Sequence, residues 1–524
     1  MSRRLPHGSR LLALLASLAL LLVAGCGSGT KAPSSSAPGP DPATVAPASA
    51  AAYAQAIVRP GGDMKAGVLA AARKVSRVQD PGAALRRLLD RSSRADHVRF
   101  SRDVEPWLGQ RVGAFLLLSS GRPDGAVALA IADRSAFAAA YARLRQSDLH
   151  PAGSYRGVAY TEEPGGQHGD DFVVGSTYAA PVGDFYVVGT LAGLRAAIDA
   201  QRGSSLADDA RFKDAVAGVP ANALAFAYAD PRAIVAGLGD LSGKAPANAR
   251  GMLARLARSG PAVASLTATA DRIALEASVD AQLVRALKAS TSKPVSAGQL
   301  PGDSWLALAT PPLGPAIESA LDSAGAHGAA ATQVRRSTGL DLDKDLLNPL
   351  GGLALFVRGE SLLDIGGGVL LQMTNDASAQ LLLTRLQAIV AGGLHIAPQP
   401  LSLAGARGFQ VAVPQLPQPI VALARGDKLA AGYGASSAQD LLAPRQRLDA
   451  SPTGKAAIAT LGDGYTPSFV LVVPPLVSLL RSLDALQVAH LESVVPYLQA
   501  YRSLALGTKR DGGRVSVRIV AALR

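Results

Sequence analysis

One order of predicted strands, turns and helices occurs twice along this chain of 524 residues. The segment Asp103–Gly109 and the strand after it are echoed by Asp345–Gly351 and a second apolar run. The segment Gly183–Gly189 and the helix after it are echoed by Gly426–Gly432, which lies 243 positions later. A chain with such a pattern is expected to form similar folded parts rather than one continuous core.

Two further matches keep the same order. The strand Leu224–Ala229 leads into a helix, and the strand Phe469–Val473 does the same. Each half is also predicted to end in a hairpin, with turns near Asp271 and Asp511. The sequence therefore predicts an α+β fold of two similar lobes from an internal duplication, each a mostly antiparallel sheet with packed helices.

The hydrophobic period within the first half switches between strand and helix. Arg111–Leu118 and Ala126–Ala132 are strand-like apolar runs on either side of a turn cluster, and Asp133 is a typical N-cap for a helix. Short turns between the strands favour antiparallel pairing. The remaining predicted elements are strands over Val158–Glu163, Phe172–Ala180 and Phe185–Gly189, and a helix capped by Thr190.

The N-terminus has the pattern of an export signal. Arg3, Arg4 and Arg10 form a basic region, and Leu11–Ala24 is an apolar run too short to span a bilayer. The residues Val-Ala-Gly-Cys that end at Cys26 resemble the bacterial lipobox, which implies a diacylglycerol thioether on Cys26 and cleavage before it. A plain secretory peptide and twin-arginine export are the alternatives.

These observations predict four regions. Residues 1–25 are the signal peptide, 26–50 a flexible Pro/Ser/Ala tether, 51–290 the first lobe and 291–524 the second. The mature protein is then extracytoplasmic, anchored to the membrane through the lipid on Cys26. Cys26 is the single cysteine of the chain, so the folded part has no disulfide.

The net charge of +12 does not by itself identify a class of binding partner. Basic residues between positions 65 and 102 alternate with aspartates, which is typical of solvated helix faces. Aromatic residues make up only 4% of the chain and no nucleic-acid-binding motif is present. We therefore expect no nucleic-acid partner.

The segment Asp103–Gly113 carries a family resemblance. It is similar to the signature region of the bacterial domain of unknown function 3352, and the second half departs from it at Pro349–Gly352. The resemblance implies an exported bacterial protein and no established activity. The residue types of the motif fit structural roles: Pro106 ends a segment, Trp107 fills a core, and Gly109 permits a turn.

The sequence predicts no catalytic, cofactor-binding or metal-ligating residues, so Cys26 is the only predicted site residue. Ser290–Lys293 has the Ser-x-x-Lys spacing but lacks its partner motifs, and Asp341–Asp345 lacks the glycine of a calcium loop. The loop Gly165–Asp171 places His168 beside carboxylates. The other histidines are scattered singly, at His7, His97, His150, His327, His395 and His490.

Three functions remain open from the sequence. The leading hypothesis is a non-enzymatic binding or scaffolding protein of the cell envelope, with an envelope protein as partner. The second is a carrier or sensor of an apolar ligand such as lipid, motivated by a mean hydropathy of +0.20. The third is a cell-envelope hydrolase assembled from distant residues, for which carboxylate pairs such as Glu162–Glu163 and Asp208–Asp209 were considered.

Overall fold

The computed structural model describes residues 39–92, 99–119, 122–147, 149–164, 167–168, 172–173, 175–239, 247–284, 295–393, 397–414, 416–485 and 493–524. The chain divides into two compact units, Met1–Leu283 and Val284–Arg524. Cys26 and residue 290, the predicted boundary between lobes, lie outside the described residues. Within the described ranges no helix is both long and apolar enough to cross a membrane.

The first unit is built on an antiparallel sheet. The order across it is β12-β11-β10-β1-β2-β3-β9-β8-β5-β4, and β6 and β7 pair separately. The strands are β1 (Ala52–Ile57), β2 (Leu108–Ser119), β3 (Arg122–Ile131), β4 (His150–Tyr155), β5 (Val158–Glu163), β6 (Gln167–His168), β7 (Phe172–Val173), β8 (Thr177–Val182), β9 (Phe185–Gly189), β10 (Ala225–Ala229), β11 (Ala262–Ala268) and β12 (Arg272–Asp280).

The second unit is likewise built on antiparallel strands. Its order is β22-β21-β20-β13-β14-β15-β19-β18-β17-β16, which repeats the order of the first sheet strand for strand. The strands are β13 (Leu306–Ala309), β14 (Leu350–Arg358), β15 (Gly366–Met373), β16 (Gln399–Leu403), β17 (Ala406–Val411), β18 (Ile420–Arg425), β19 (Lys428–Tyr433), β20 (Thr466–Val472), β21 (Tyr501–Asp511) and β22 (Arg514–Leu523).

Helices connect the strands in both units. In the first unit they are Gly62–Ser76, Pro81–Ser92, Arg134–Ser147, Leu191–Arg202, Ala210–Val216, Pro231–Gly237, Ala247–Arg258 and, at its end, Ala281–Val284. In the second they are Gly314–Ser323, His327–Thr338, Asp376–Gly393, Ala435–Leu442, Pro452–Ala459, Val473–Ala485 and Val495–Leu498. Short 3-10 helices cover Pro42–Val45, Leu206–Asp208, Ala297–Gln299 and Leu448–Ala450, and π-helical turns cover Phe100–Val104 and Leu342–Leu347.

Local capping explains where the predicted helices begin. The Asp133 carboxylate accepts hydrogen bonds from the backbone N–H groups of Ser135 and Ala136, both at 2.9 Å. The Thr190 hydroxyl accepts one from Gly193 at 3.0 Å. Both caps satisfy N–H groups that have no partner inside the helix, which confirms the two predicted helix starts.

The strand prediction is confirmed at Val158–Glu163 and at Phe185–Gly189, and the antiparallel α+β class with it. The prediction of one strand over Phe172–Ala180 is wrong. β7 ends at Val173 and β8 begins at Thr177, with Gly175 between them. Glycine has no side chain to pack and weakens the interior of a strand, so it interrupts the run.

Equivalent hairpins use the same turn in both units. Gly183 and Gly426 open the turns from β8 to β9 and from β18 to β19, with φ angles of 60° and 56°. Because L side chains are disfavoured at positive φ, glycine is the residue suited to both positions. These turns fix the register in which Val182 pairs with Phe185 and Arg425 pairs with Lys428.

Each sheet carries apolar cores on both faces. In the first unit one core packs against the helix Leu191–Arg202 and the other against Arg134–Ser147. In the second unit the equivalent cores pack against Ala435–Leu442 and Asp376–Gly393. Each unit is therefore three layers of helix, sheet and helix, with an interior of its own.

The predicted tether is too long at its C-terminal end. It was expected to reach residue 50, but the segment from Pro42 to Ala50 is part of the first core, and Ala46 is fully buried. The Ala46 carbonyl accepts a hydrogen bond from Leu206 at 2.7 Å, and Pro47 pairs with Ser205. The apolar Pro42, Ala43 and Val45 have enough surface to bury, so the fold begins before residue 51.

Candidate functional site

The segment Asp103–Gly113, which carries the family resemblance, lies where a π-helical turn leads into β2. The Asp103 carboxylate accepts a hydrogen bond from the Arg99 backbone N–H at 2.9 Å and is held by the Arg102 guanidinium at 2.9 and 2.8 Å. The Trp107 indole N–H donates to the Asp103 carbonyl at 2.6 Å. The motif therefore fixes the start of a strand, as the sequence predicted for Trp107.

Asp103 is buried yet charged. Burial by itself raises the pKa of the Asp103 carboxyl, but the hydrogen bonds from Arg102 and from the Arg99 backbone act in the opposite direction. The positive charges of Arg102 and Arg143 add to that effect, so the pKa lies below its ordinary value. A carboxylate held ionised in this way supports the fold and is poorly suited to proton transfer at neutral pH.

The second unit repeats this turn with fewer partners. The Asp345 carboxylate accepts a hydrogen bond from the Asp341 backbone N–H at 2.8 Å, as Asp103 does from Arg99. The Asp341 carboxylate in turn accepts from the backbone N–H groups of Asp343 and Lys344, both at 3.1 Å. The aspartates that resembled a calcium loop therefore cap a helical turn.

His327 connects three elements of the second unit. Its Nδ1 lies 2.7 Å from the Asp322 carboxylate and its Nε2 lies 2.8 Å from the Asp343 carboxylate. A histidine with a carboxylate acceptor at each ring nitrogen uses both N–H groups, which is the protonated form. The hydrogen bonds to Asp322 and then to Asp343 raise the pKa of His327 above its ordinary value.

A cavity of about 310 Å³ lies in the second unit where β15 and β19 pair. This volume is at the lower end of the range typical of small-molecule sites. Leu300, Leu370 and Leu441 form an apolar wall, and each is almost fully buried. Gln372, Asp427 and Lys428 add polar groups to the lining.

The polar groups of this cavity are only partly satisfied. The Gln372 amide N–H groups donate to the Met373 and Asp427 carbonyls, both at 3.2 Å. Among the described residues, no ion pair joins Asp427 and Lys428 to each other or to another side chain. Both are half-buried, so two opposite charges line the cavity without compensation.

The first unit has no polar counterpart to Gln372 or Lys428 at the same place. The Met373 N–H donates to the Asp427 carbonyl at 2.7 Å, and in the first unit Ile131 donates to Asp184 at 2.9 Å. From these equivalent bonds, Gln372 corresponds to Ala130 and Lys428 to Phe185. Ala130 and Phe185 are fully buried in the first core, so apolar packing stands where the second unit has polar groups.

The remaining sequence candidates have structural roles or lie outside the described residues. Cys26 and Ser290–Lys293 are outside them, and the side chain of His168 is not described. Asp208 bonds to Ser205 in a capping box, and Asp209 caps the helix Ala210–Val216. Glu162 accepts a hydrogen bond from the Tyr178 hydroxyl. Among the described residues, no group of three or more His, Cys, Asp or Glu is placed to hold a metal ion.

The sequence analysis missed the cavity residues. A signal for Lys428 was present, because the repeat aligns Gly183-Asp184-Phe185 with Gly426-Asp427-Lys428 and so sets a lysine against an aromatic residue. No comparable signal marks Gln372, whose position depends on the pairing of β15 with β19. His327 was also missed, since its carboxylates lie five and sixteen positions away along the chain.

The fold and the cavity define an α+β protein with repeated antiparallel sheet topology. The chain belongs to the family of proteins of unknown function DUF3352, whose family model matches residues 11–519. No curated protein matches it.

Solved structures that resemble the chain include three crystal forms of TP0453. Form I is 13% identical, with a TM-score of 0.23, and covers 46% of this chain and 78% of that one. Form IV is 14% identical, with a TM-score of 0.25, and covers 48% and 86%. Form III is 13% identical, with a TM-score of 0.24, and covers 46% and 80%.

Proposed function

We propose that this chain is a membrane-anchored extracytoplasmic lipoprotein that binds a small ligand without transforming it. The proposal rests on the cavity at Gln372 and Lys428. These two residues stand where the first unit has the apolar pair Ala130 and Phe185. Burying uncompensated polar groups costs stability, so they are expected where a ligand supplies the missing partners.

The two units are proposed to derive from one duplicated ancestor. Support comes from the identical strand order and from backbone hydrogen bonds at matching places. Leu206 donates to Ala46 in the first unit, and Leu448 donates to Leu300 in the second, at 2.7 and 2.8 Å. The predicted lobes correspond to this reading, with the first fold beginning near residue 39 rather than 51.

The lipid anchor is proposed at Cys26, on the lipobox-like sequence alone. Mass spectrometry of the protein made in a bacterial host tests it. We expect a mature N-terminus at Cys26 that carries diacylglycerol, and a Cys26→Ser variant that is not acylated and is released from the membrane fraction. An unmodified Cys26 in a processed protein would contradict the anchor and leave the binding proposal intact.

A polar cavity is less suited to the apolar carrier that the composition also allowed. A lipid tail needs an apolar lining throughout, whereas Gln372, Asp427 and Lys428 face this cavity together. The hydrolase hypothesis gains no specific support either, because among the described residues no hydrogen bond or ion pair joins Asp427 to Lys428 in the way that a nucleophile is joined to its base.

Native mass spectrometry of the purified full chain tests ligand binding directly. We expect a stoichiometric extra mass that denaturation releases. A double variant, Gln372→Ala with Lys428→Phe, installs the residue pair of the first unit and is expected to lose that mass. Lys455→Ala, an exposed lysine of the same unit, is the matched control and should keep it. An extra mass that survives the double variant would contradict the proposed site.

A further inference from the structure

The charges around the cavity indicate the chemistry of its ligand, if the chain is the binding protein proposed above. Lys428 supplies a cation and Asp427 an anion, from neighbouring positions at the start of β19. Among the described residues neither has an ion-pair partner. A ligand with one charge would satisfy one of them and leave the other half-buried and unpaired.

The first unit shows that the aspartate is common to both units, whereas Lys428 is particular to the second. Asp184 occupies the position of Asp427 and forms an ion pair with Arg134 in the helix that follows β3. The equivalent helix of the second unit begins with Asp376, which cannot compensate a carboxylate. The second unit therefore has the aspartate without this cationic partner, and it has Lys428 in place of an aromatic residue.

The rest of the lining sets size and polarity. The leucine wall of Leu300, Leu370 and Leu441 suits an aliphatic group, because burying apolar surface there is favourable. At about 30 Å³ for each water-sized group, the volume admits a ligand of roughly ten non-hydrogen atoms. The Gln372 side-chain carbonyl has no hydrogen-bond partner among the described residues and is available to a ligand donor.

We propose that the cavity of the second unit binds a small aliphatic zwitterion of the α-amino acid type. The ligand carboxylate pairs with Lys428, its ammonium group pairs with Asp427 and donates to the Gln372 carbonyl, and its side chain packs on the leucine wall. Charge-assisted hydrogen bonds of this kind are stronger than neutral ones, and they orient the ligand as well as hold it.

Isothermal titration calorimetry of the full chain in detergent tests the ligand class with defined probes. Leucine, isoleucine, valine and methionine represent the zwitterion. Isovalerate lacks the ammonium group of leucine, and isopentylamine lacks its carboxylate. We expect saturable binding of at least one amino acid, and at least about tenfold weaker binding of both analogues, since each loses a charge-assisted hydrogen bond.

Variants then assign the two charges. Lys428→Gln should weaken amino-acid binding at least about tenfold and leave the affinity for isopentylamine nearly unchanged. Asp427→Asn should weaken amino-acid binding to a similar extent and leave the affinity for isovalerate nearly unchanged. Because these substitutions remove a charge without adding bulk, the fluorescence of Trp305, the one tryptophan of the second unit, should be unchanged in a Trp107→Phe background and so report an intact fold. Lys455→Ala is again the control.

The outcomes separate this inference from the proposed function. Isovalerate binding as tightly as the amino acids would overturn the zwitterion and indicate a simple anion site. Failure of every probe, together with a released ligand mass that the double variant abolishes, would overturn the ligand class and keep the site. Failure of every probe with no released mass would overturn both proposals.

Discussion

The two units have the same strand order and differ in the residues of one cross-strand pair. In the first, Ala130 and Phe185 fill the space between sheet and helix. In the second, Gln372 and Lys428 occupy the same rungs, and a cavity lies beside them. The same strand order can therefore carry apolar core residues in one unit and a candidate site in the other.

The core on the other face of the sheet also differs in composition between the two units. An aromatic cluster of Trp107, Phe137, Tyr141 and Tyr186 holds the helix Arg134–Ser147 on the first sheet. Burial raises the pKa of the Tyr186 hydroxyl far above its ordinary value, as a dry interior requires. The equivalent layer of the second unit is mostly aliphatic: Leu383 of the helix Asp376–Gly393 lies in one buried cluster with Leu429 of β19 and with Phe409.

The largest effect should come from the aromatic cluster. Phe137 packs edge-to-face on Trp107, with ring centroids 5.2 Å apart, and also contacts Tyr186. Phe137→Ala leaves a cavity in a rigid interior and is expected to destabilise the first unit by about 3–5 kcal/mol. Urea unfolding followed by Trp107 fluorescence, in a Trp305→Phe background, measures it.

A matched substitution sharpens that comparison. Leu383→Ala in the second unit removes a buried aliphatic side chain from the equivalent layer. Its expected cost is about 2–5 kcal/mol, read from Trp305 with Trp107 replaced by phenylalanine. If Phe137→Ala cost less than about 1 kcal/mol, the aromatic cluster would not be what secures the first helix.

A smaller effect is expected at the π-helical turns. Asp103→Asn removes a buried charge that accepts from Arg99 and Arg102, and should cost about 1.5–3 kcal/mol at neutral pH. Asp345→Asn removes the charge of a half-buried carboxylate that accepts from the Asp341 backbone N–H, and because the asparagine oxygen can still accept this bond, it should cost only about 0.5–1.5 kcal/mol. Equal losses in denaturant unfolding would contradict the difference in electrostatics between the turns.

The cost of Asp103→Asn should also depend on pH. The pKa of Asp103 is lowered in the folded state, so the stabilisation by its charge is complete above the unfolded-state pKa. It is lost as pH falls through the folded-state pKa. The difference between wild type and variant should therefore shrink in acid, and a difference that grew there would contradict the assignment.

The smallest effect concerns how helices attach to these turns. In the first unit the Asp90 carboxylate accepts from the backbone N–H and hydroxyl of Ser101, at 2.9 and 2.8 Å. In the second unit His327 bridges Asp322 and Asp343 instead. Only the second attachment depends on a group that titrates near neutral pH.

The sign follows from the raised pKa of His327 in the folded state. Its stabilisation is complete below the unfolded-state pKa of about 6.5 and is lost as pH rises through the folded-state pKa. His327→Gln should lower the melting temperature in mildly acidic buffer and have little effect in alkaline buffer. A difference that does not change with pH would show that His327 contributes packing alone.

The sequence predicted the parts of the fold that depend on local chemistry. Short strand-like runs between turn residues located β5 and β9, and the side chains of Asp133 and Thr190 marked helix starts because each supplies its own cap. The order of elements also located equivalent segments of the two halves, since turn glycines such as Gly183 and Gly426 recur at constant spacing.

The candidate site could not be predicted in the same way, because it depends on contacts between distant segments. Gln372 meets Lys428 only through strand pairing, and Leu300 reaches the cavity from a short helix more than 70 positions before it. The buried segment from Pro42 to Ala50 was misjudged for a similar reason. Its small apolar residues look like a linker until the surface that covers them is known.

That buried segment has a consequence for the height at which the protein works. If the lipid is on Cys26 as proposed, only residues 27–38 separate it from the first folded residue. The 16 residues from Cys26 to Pro42 span at most about 58 Å when fully extended, whatever their arrangement. The segment at Pro42 is thus held within that distance of the bilayer surface, and ligands must come to a protein that stays near the membrane rather than one that reaches far outward.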